Sequence, residues 1–154
     1  MKKEFVRVKV LSNSKFGEEI FVLEVQNKFE NSPEPGQFIM LEPLNQRSVM
    51  PRPFSVVYAD CDSIFIMVEI AGKNSQIYSE LEEEDEINVS GPLGLPFILE
   101  KDKHYIFVAG GIGIAGLLFV SIGIAQEEKK FRFFFGVKTK KMEENTEQNY
   151  KNLS

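Results

Sequence analysis

Cysteine, histidine and tryptophan are nearly missing from this chain: Cys61 and His104 stand alone in their types, and there is no tryptophan. One cysteine closes no internal disulfide and builds no all-cysteine metal site. Cys61 is therefore expected as a small buried or half-buried side chain. His104 has no serine or cysteine partner at a recognisable spacing, so a hydrolytic triad is not visible, and the residue is expected to be structural or exposed. Excess positive charge is also missing. The net charge is −5 and the basic residues are scattered, which removes the electrostatic footprint that a nucleic-acid partner needs. No apolar run follows the charged start MKKEFVRV, which argues against a signal peptide and makes the cytoplasm the default expectation. Only one long uncharged stretch exists, the 22 residues from Tyr105 to Gln126, close to the roughly 20 that a membrane helix needs. Five glycines (110, 111, 113, 116 and 123) interrupt it, each costing about 1 kcal/mol inside a helix. None forms a Gly-x-x-x-Gly pair, and YIFVA is β-prone. A barrel tethered to a membrane by residues 105 to 126 is thus an alternative that the glycines oppose.

What is present is apolar patterning. With 154 residues, 43% of them hydrophobic, the chain is long enough for one domain, or one domain and a fragment of a second. FVRVKVLS, IFVLEV, QFIMLE, FSVVYA, IFIMVEIA and INVSG follow one another as six short strands with turn signals between them. Pro33, Pro35 and Gly36 make one break, Pro43 to Pro53 a second, and Asp60 to Ser63 a third. Six such strands without a long helix predict a closed antiparallel barrel. One short helix is expected after Gly72, capped by Asn74 or Ser75, with Ile77 and Leu81 on one face. Past residue 104 the period changes. YIFVAG reads as a buried parallel strand, Ile114 to Glu128 as a helix and FRFFFGV as a second strand, which is one βαβ unit. The expected division is a barrel over 1–100, a partial βαβ unit over 104–138, and a polar, disordered tail over 139–154.

Several stretches carry possible chemistry, and each, read alone, is equally a surface turn. In MPRPFS two prolines fix the backbone on both sides of Arg52, as a rigid anion-binding fork requires. In VEIAGKNSQIYSEL, Gly72 ends a strand and Asn74 and Ser75 open a helix whose free N–H groups face an anion. GPLGLPF, Gly91 to Phe97, suits a fixed turn at the barrel exit. The acidic run Glu82 to Glu86 reads as a solvated helix end. AGGIGIAG follows a strand and precedes a helix, the context of a phosphate loop, though in neither the Rossmann nor the P-loop spacing. Its Gly110 and Gly111 permit a tight turn, and Gly113 permits close approach to the backbone.

The order is more telling than the parts. PGQF (Pro35 to Phe38), RPFS, then GKNS about twenty residues later, then INVSGPLGLPF, then GGIG resembles the ferredoxin reductase superfamily of flavoproteins. Within it the chain resembles the electron-transfer subunits of dihydroorotate dehydrogenase B, over roughly residues 4 to 138. The resemblance implies a six-stranded Greek-key barrel that binds FAD, followed by an α/β domain for a nicotinamide nucleotide. It implies Arg52 as the ligand of the flavin's pyrophosphate, with Pro53, Phe54 and Ser55 along the ring and ribityl chain. Val68, Glu69 and Ile70 would meet FAD largely through backbone groups, and Gly72, Asn74 and Ser75 would face the pyrophosphate. Gly110, Gly111 and Gly113 match the nicotinamide-side loop. Departures from the family pattern are as informative. Gly116 replaces a proline that opens the helix, which predicts a less rigid loop. The later strands of the nucleotide domain are missing, which weighs against NAD(H) binding. The four C-terminal cysteines that hold a [2Fe-2S] cluster in the family are also missing, which excludes that cluster.

A two-stranded parallel sheet with one helix covers only one of its faces, whereas parallel sheets are buried on both. FRFFFGV is therefore expected to pair with another chain, as a homodimer or with a redox partner subunit, or to pack back on the barrel. The functional expectation is an FAD-binding electron-transfer protein or subunit, with NADH as donor and a dihydroorotate-oxidising subunit as partner in the family. No catalytic side chain is implied. The alternative is a non-catalytic barrel that serves as a binding or assembly module without a flavin.

Overall fold

The structure, a computed structural model, describes residues 4–16, 19–44, 50–100, 103–127 and 129–136. The expected tail over 139–154, Glu128 and Val137 at the element ends of the βαβ unit, and Lys101 and Asp102 of the linker lie outside these residues.

Six strands form a closed antiparallel barrel: β1 (Val6–Phe16), β2 (Ile20–Gln26), β3 (Phe38–Pro43), β4 (Arg52–Ala59), β5 (Ser63–Glu69) and β6 (Glu86–Leu93), in the order β1-β2-β5-β4-β3-β6. The jump from β2 to β5 makes the Greek-key crossover. Alternation sets which side chains point inward: in β2, Phe21, Leu23 and Val25 are buried while their neighbours are half-exposed. Ile39 and Leu41 of β3 and Ile64 and Ile66 of β5 meet them in the interior, all fully buried, and each such side chain contributes roughly 1.5–3 kcal/mol of burial. β1 pairs with β6, from Val6 opposite Val89 to Lys9 opposite Glu86, and closes the barrel so that it has no free edge. A bulge between Val10 and Ser12 lets the long β1 bend from one neighbour to the other.

Two turns differ from the sequence expectation. The acidic run is not a helix end: Glu82 to Asp85 form a turn, closed by Asp85 N–H donating to the Glu82 carbonyl at 3.1 Å, and Glu86 already begins β6. Glu84 takes a φ of 71° there, and its N–H donates to the Val10 carbonyl at 2.9 Å. Backbone pairing to β1 thus outweighs helix continuation. Cys61 is exposed, not buried. It sits at the tip of the β4–β5 hairpin, where Asp60 accepts from the backbone N–H groups of Asp62 and Ser63 and leaves no core for the thiol to enter. His104 is exposed, as expected.

The PGQF and GPLGLPF stretches meet each other. Phe97 N–H donates to the Pro35 carbonyl at 2.7 Å, and the Gln37 amide donates to the Gly94 carbonyl at 2.9 Å. Gly36, at φ 90°, lies so close that an added Cβ would be 3.2 Å from the Phe97 backbone nitrogen.

Beyond the linker, β7 (Tyr105–Gly110) leads through one 3-10 turn, Gly111–Ile114, into α2 (Ala115–Gln126), and β8 (Phe131–Gly136) returns parallel to β7. The short helix α1 (Lys73–Ser79) lies between β5 and β6. Phe107 of β7 packs with Val120 and Ile124 of α2 and with Phe131 and Phe133 of β8. The opposite side of α2 faces the barrel: Phe119 joins the barrel core, with its ring 5.7 Å from that of Tyr58 on β4. The small unit therefore packs back on the barrel through its helix. The outer sheet face stays open, with Ile106 66%, Val108 72% and Phe134 55% exposed. Among the described residues, no helix is long and apolar enough to cross a membrane.

Candidate functional site

β4 and β5 pair from Ala59 opposite Ile64 to Val56 opposite Ile66 and no further. Towards the start of β4 and the end of β5 the two strands diverge. The first residues of β4 stay paired with β3, Leu41 opposite Arg52 and Ile39 opposite Phe54, while Met67, Val68 and Glu69 stay paired with β2. There the start of β4 faces the turn after β5 and α1 across a cleft of about 560 Å³, lined by Arg52, Pro53, Phe54, Ala71, Gly72, Lys73, Asn74, Ser75 and Tyr78. That volume is within the range of ordinary ligand pockets.

The mouth of the cleft is shaped by Ser75. The sequence expectation that Asn74 or Ser75 caps α1 is corrected, because Gly72 is the N-cap and Ser75 the third helical residue. From there the Ser75 hydroxyl accepts from the N–H groups of Ala71 (2.8 Å) and Gly72 (3.2 Å) and donates to the Gly72 carbonyl (3.0 Å). A glycine cap has no side-chain acceptor, so the serine satisfies the entering backbone from inside the helix.

The floor is Tyr78, fully buried. Its hydroxyl donates to the Leu41 carbonyl at 3.1 Å, and its ring meets that of Phe54 edge to face, with centroids 5.2 Å apart at 77°. Burial pushes the Tyr78 phenol up to about 12, against the opposing charge of Arg52. The far end of α1 is tied down by the Asn13 amide, which donates to the carbonyls of Tyr78 (3.1 Å) and Leu81 (2.8 Å).

Charge distinguishes this cleft from the rest of the molecule. The chain carries 23 acidic and 18 basic Lys and Arg residues, yet among the described residues the lining holds two cations, Arg52 and Lys73, and no carboxylate. Arg52 is exposed at its mouth, on a backbone fixed by Pro51, Pro53 and the β3 register.

Of the residues singled out in the sequence, Arg52, Pro53, Phe54, Gly72, Asn74 and Ser75 come together here. The others lie elsewhere. Val68 points into the barrel core, Ile70 packs against that core, and the Ile70 N–H is taken by the Glu19 carbonyl at 2.6 Å. The backbone of Val68 and Glu69 pairs on one side with β2 and faces the split on the other. Ser55 turns to α2, where an added Cβ on Gly116 would be 3.5 Å from its hydroxyl oxygen. Gly110, Gly111 and Gly113 are outside the lining, and an added Cβ at any of them would meet nothing within 4 Å. Sequence reasoning missed Lys73 and Tyr78. Lys73 was visible as the lysine inside GKNS; Tyr78 was legible only as an aromatic residue among the apolar positions of a short helix.

No protein-family model matches the chain. It is 32% identical over 155 residues to the dihydroorotate dehydrogenase B (NAD(+)) electron transfer subunit of Clostridium acetobutylicum, an alignment that takes in 99% of this chain and 61% of that one. The chain thus spans less than two thirds of that relative. Among solved structures, an NADH-dependent reduced ferredoxin-NADP oxidoreductase superposes with a TM-score of 0.80 at 23% identity, over 92% of this chain and 52% of that one. A ferredoxin NADP+ reductase from Neisseria gonorrhoeae, solved with bound FAD and NADP, superposes with a TM-score of 0.79 at 17% identity, over 96% and 63%. The barrel and the superpositions agree on the fold: the chain adopts the ferredoxin-reductase fold, and over 99% of its length it is similar in sequence to the electron-transfer subunit of a dihydroorotate dehydrogenase B.

Proposed function

We propose that this chain is an FAD-binding electron-transfer protein or subunit and that the cleft between the start of β4 and α1 holds the flavin. The observation that carries the reading is the lining itself, two cations and no carboxylate beside an aromatic ring. Arg52 and Lys73 would hold the pyrophosphate, since an arginine fork matches phosphate oxygens and a lysine adds a point charge. Gly72, Asn74 and Ser75 would border the phosphates. Pro53 and Phe54 would line the isoalloxazine, with Ser55 at its far margin and the backbone of Val68, Glu69 and Ile70 approaching it from the end of β5. When bound, FAD supplies the redox chemistry; the protein supplies orientation and electrostatics. Among the described residues the lining holds no carboxylate, histidine or cysteine that would serve as a general acid or base.

The relatives' name points to a catalytic partner subunit and to NAD(+). For this chain we place a partner or a second copy on the open face of β7 and β8, and cytoplasmic work follows from the same reading. A nicotinamide donor at Gly110, Gly111 and Gly113 is supported by the open space around them and by no lining side chain. One cysteine cannot supply the four ligands of a [2Fe-2S] cluster.

The test is direct. Protein purified from cells should be yellow, with a flavin absorption spectrum, and should rebind FAD after stripping. Colourless protein that ignores added FAD would favour the barrel as a non-catalytic assembly module.

A further inference from the structure

Tyr78 is held more firmly than packing requires. It sits at the end of a seven-residue helix, and its ring is fully buried against the barrel. Any apolar side chain of similar size would fill that space. A tyrosine instead brings a hydroxyl that costs free energy unless it finds a partner. Here the hydroxyl finds the Leu41 carbonyl, and the Asn13 amide fixes the carbonyl of the same residue. The ring is thereby anchored at its polar tip and at its backbone. Among the described residues its aromatic contact is Phe54, a ring that borders the cleft. Leu41 pairs with Arg52 two residues before Phe54, so the strand that anchors Tyr78 also carries the arginine side of the cleft.

We propose that Tyr78 is a positioning residue that fixes the plane of the Phe54 ring, and hence the apolar wall presented to the flavin. The proposal rests on the flavin reading above. Edge-to-face pairs are worth a modest free energy beyond burial, and their geometry is specific. Removing the Tyr78 ring leaves Phe54 free to tilt into the cleft, whereas Phe at 78 keeps the ring and loses only its anchor.

The FAD dissociation constant, the visible spectrum of the bound flavin and the melting temperature are measured for the wild type, Tyr78→Phe, Tyr78→Leu, Phe54→Ala and Tyr78→Leu/Phe54→Ala. Tyr78→Leu should weaken FAD about three- to tenfold and shift the flavin band. Tyr78→Phe should stay within about twofold, and Tyr78→Leu should have no further effect once Phe54 is alanine. Ile87→Val, a fully buried barrel residue outside the lining, should lower the melting temperature without moving the spectrum. A Tyr78→Leu protein that melts earlier yet keeps wild-type affinity and spectrum overturns the proposal, as does a full effect in the Phe54→Ala background. A wild type without flavin affinity overturns the flavin reading and the proposal together; a yellow wild type with an indifferent Tyr78→Leu overturns the proposal alone. Should Tyr78→Leu not fold, aromatic NMR of the wild type decides. FAD addition should shift Phe54 and Tyr78 together while Phe131 in the second unit stays still, and an unmoved Tyr78 overturns the proposal.

Discussion

Replacing Arg52 by alanine isolates the charge of the cleft from the fold. The side chain is exposed and touches no core, so its loss should change stability by no more than about 0.5 kcal/mol. What it loses is a charge-assisted hydrogen bond to phosphate, worth about 1.5–3 kcal/mol when the guanidinium is fixed. Here the backbone that carries it is fixed, by prolines on both sides and by pairing of Arg52 with Leu41. At 1.4 kcal/mol per decade, FAD affinity should fall about 10- to 100-fold. The open mouth sets the lower end of that range, because exposed charges are screened by salt. Lys in place of Arg should recover part of the loss, as a point charge without the fork. FAD titration by fluorescence at two salt concentrations gives the affinities, and a thermal melt gives the fold. Arg52→Ala with an FAD affinity within twofold of the wild type would refute the placement of the pyrophosphate at β4. A large loss of melting temperature would refute the claim that Arg52 is a ligand residue and not a structural one.

Other perturbations read other parts of the structure. Lys73→Gln should weaken FAD less than Arg52→Ala, by severalfold, and flatten the salt dependence, as titration in increasing salt will show. Gly36→Ala forces an ordinary side chain to φ 90° and against Phe97; a cost of about 1–3 kcal/mol should appear as a melting temperature lower by several degrees. Gly116→Ala meets the Ser55 hydroxyl at an ordinary 3.5 Å in the first turn of α2, so it should stabilise by about 0.5–1 kcal/mol, read in the same melt. Val108→Lys or Phe134→Lys on the open face should abolish any self-association seen by sedimentation without lowering the melting temperature.

Tyr78 also gives the fold a pH dependence whose sign is fixed. Its folded pKa is raised to about 12 from an ordinary 10.0, so the native state holds its proton where the unfolded chain releases it. The contribution is fully present below pH 10 and is lost progressively as pH rises from about 10 through about 12. Two pKa steps correspond to about 2–3 kcal/mol. Chemical denaturation along this pH range should show a falling stability that Tyr78→Phe removes, with the tyrosine absorbance step moving down accordingly. An unchanged slope in Tyr78→Phe would mean that the alkaline loss comes from other groups.

Alternation of period two made the barrel strands legible, because inward positions such as Phe21, Leu23 and Val25 must share one face. The change of period after residue 104 made the βαβ unit legible for the same reason. Arg52 is legible as a candidate from the order of motifs around it, since Pro-Arg-Pro read alone is a surface turn whose prolines fix the backbone. What alternation does not encode is where two paired strands part: beyond Val56 and Ile66, β4 leaves β5, and its first residues border the cleft with α1 instead. That separation brings Phe54 and Tyr78 together from positions 24 residues apart. Gly72 and Ser75 show the limit of a local rule: the serine was read as a cap because serines cap helices, yet the backbone reached the helix two residues earlier. From the third helical position its hydroxyl accepts instead from the N–H groups of Ala71 and Gly72, behind the helix start. The chemistry of a residue type was thus read correctly where its position was not, and positions in the cleft are set by strand divergence and helix entry, which are tertiary choices. Lys73, one residue after the cap, is an ordinary lysine in a turn until the entry of α1 brings it to the cleft that Arg52 also lines.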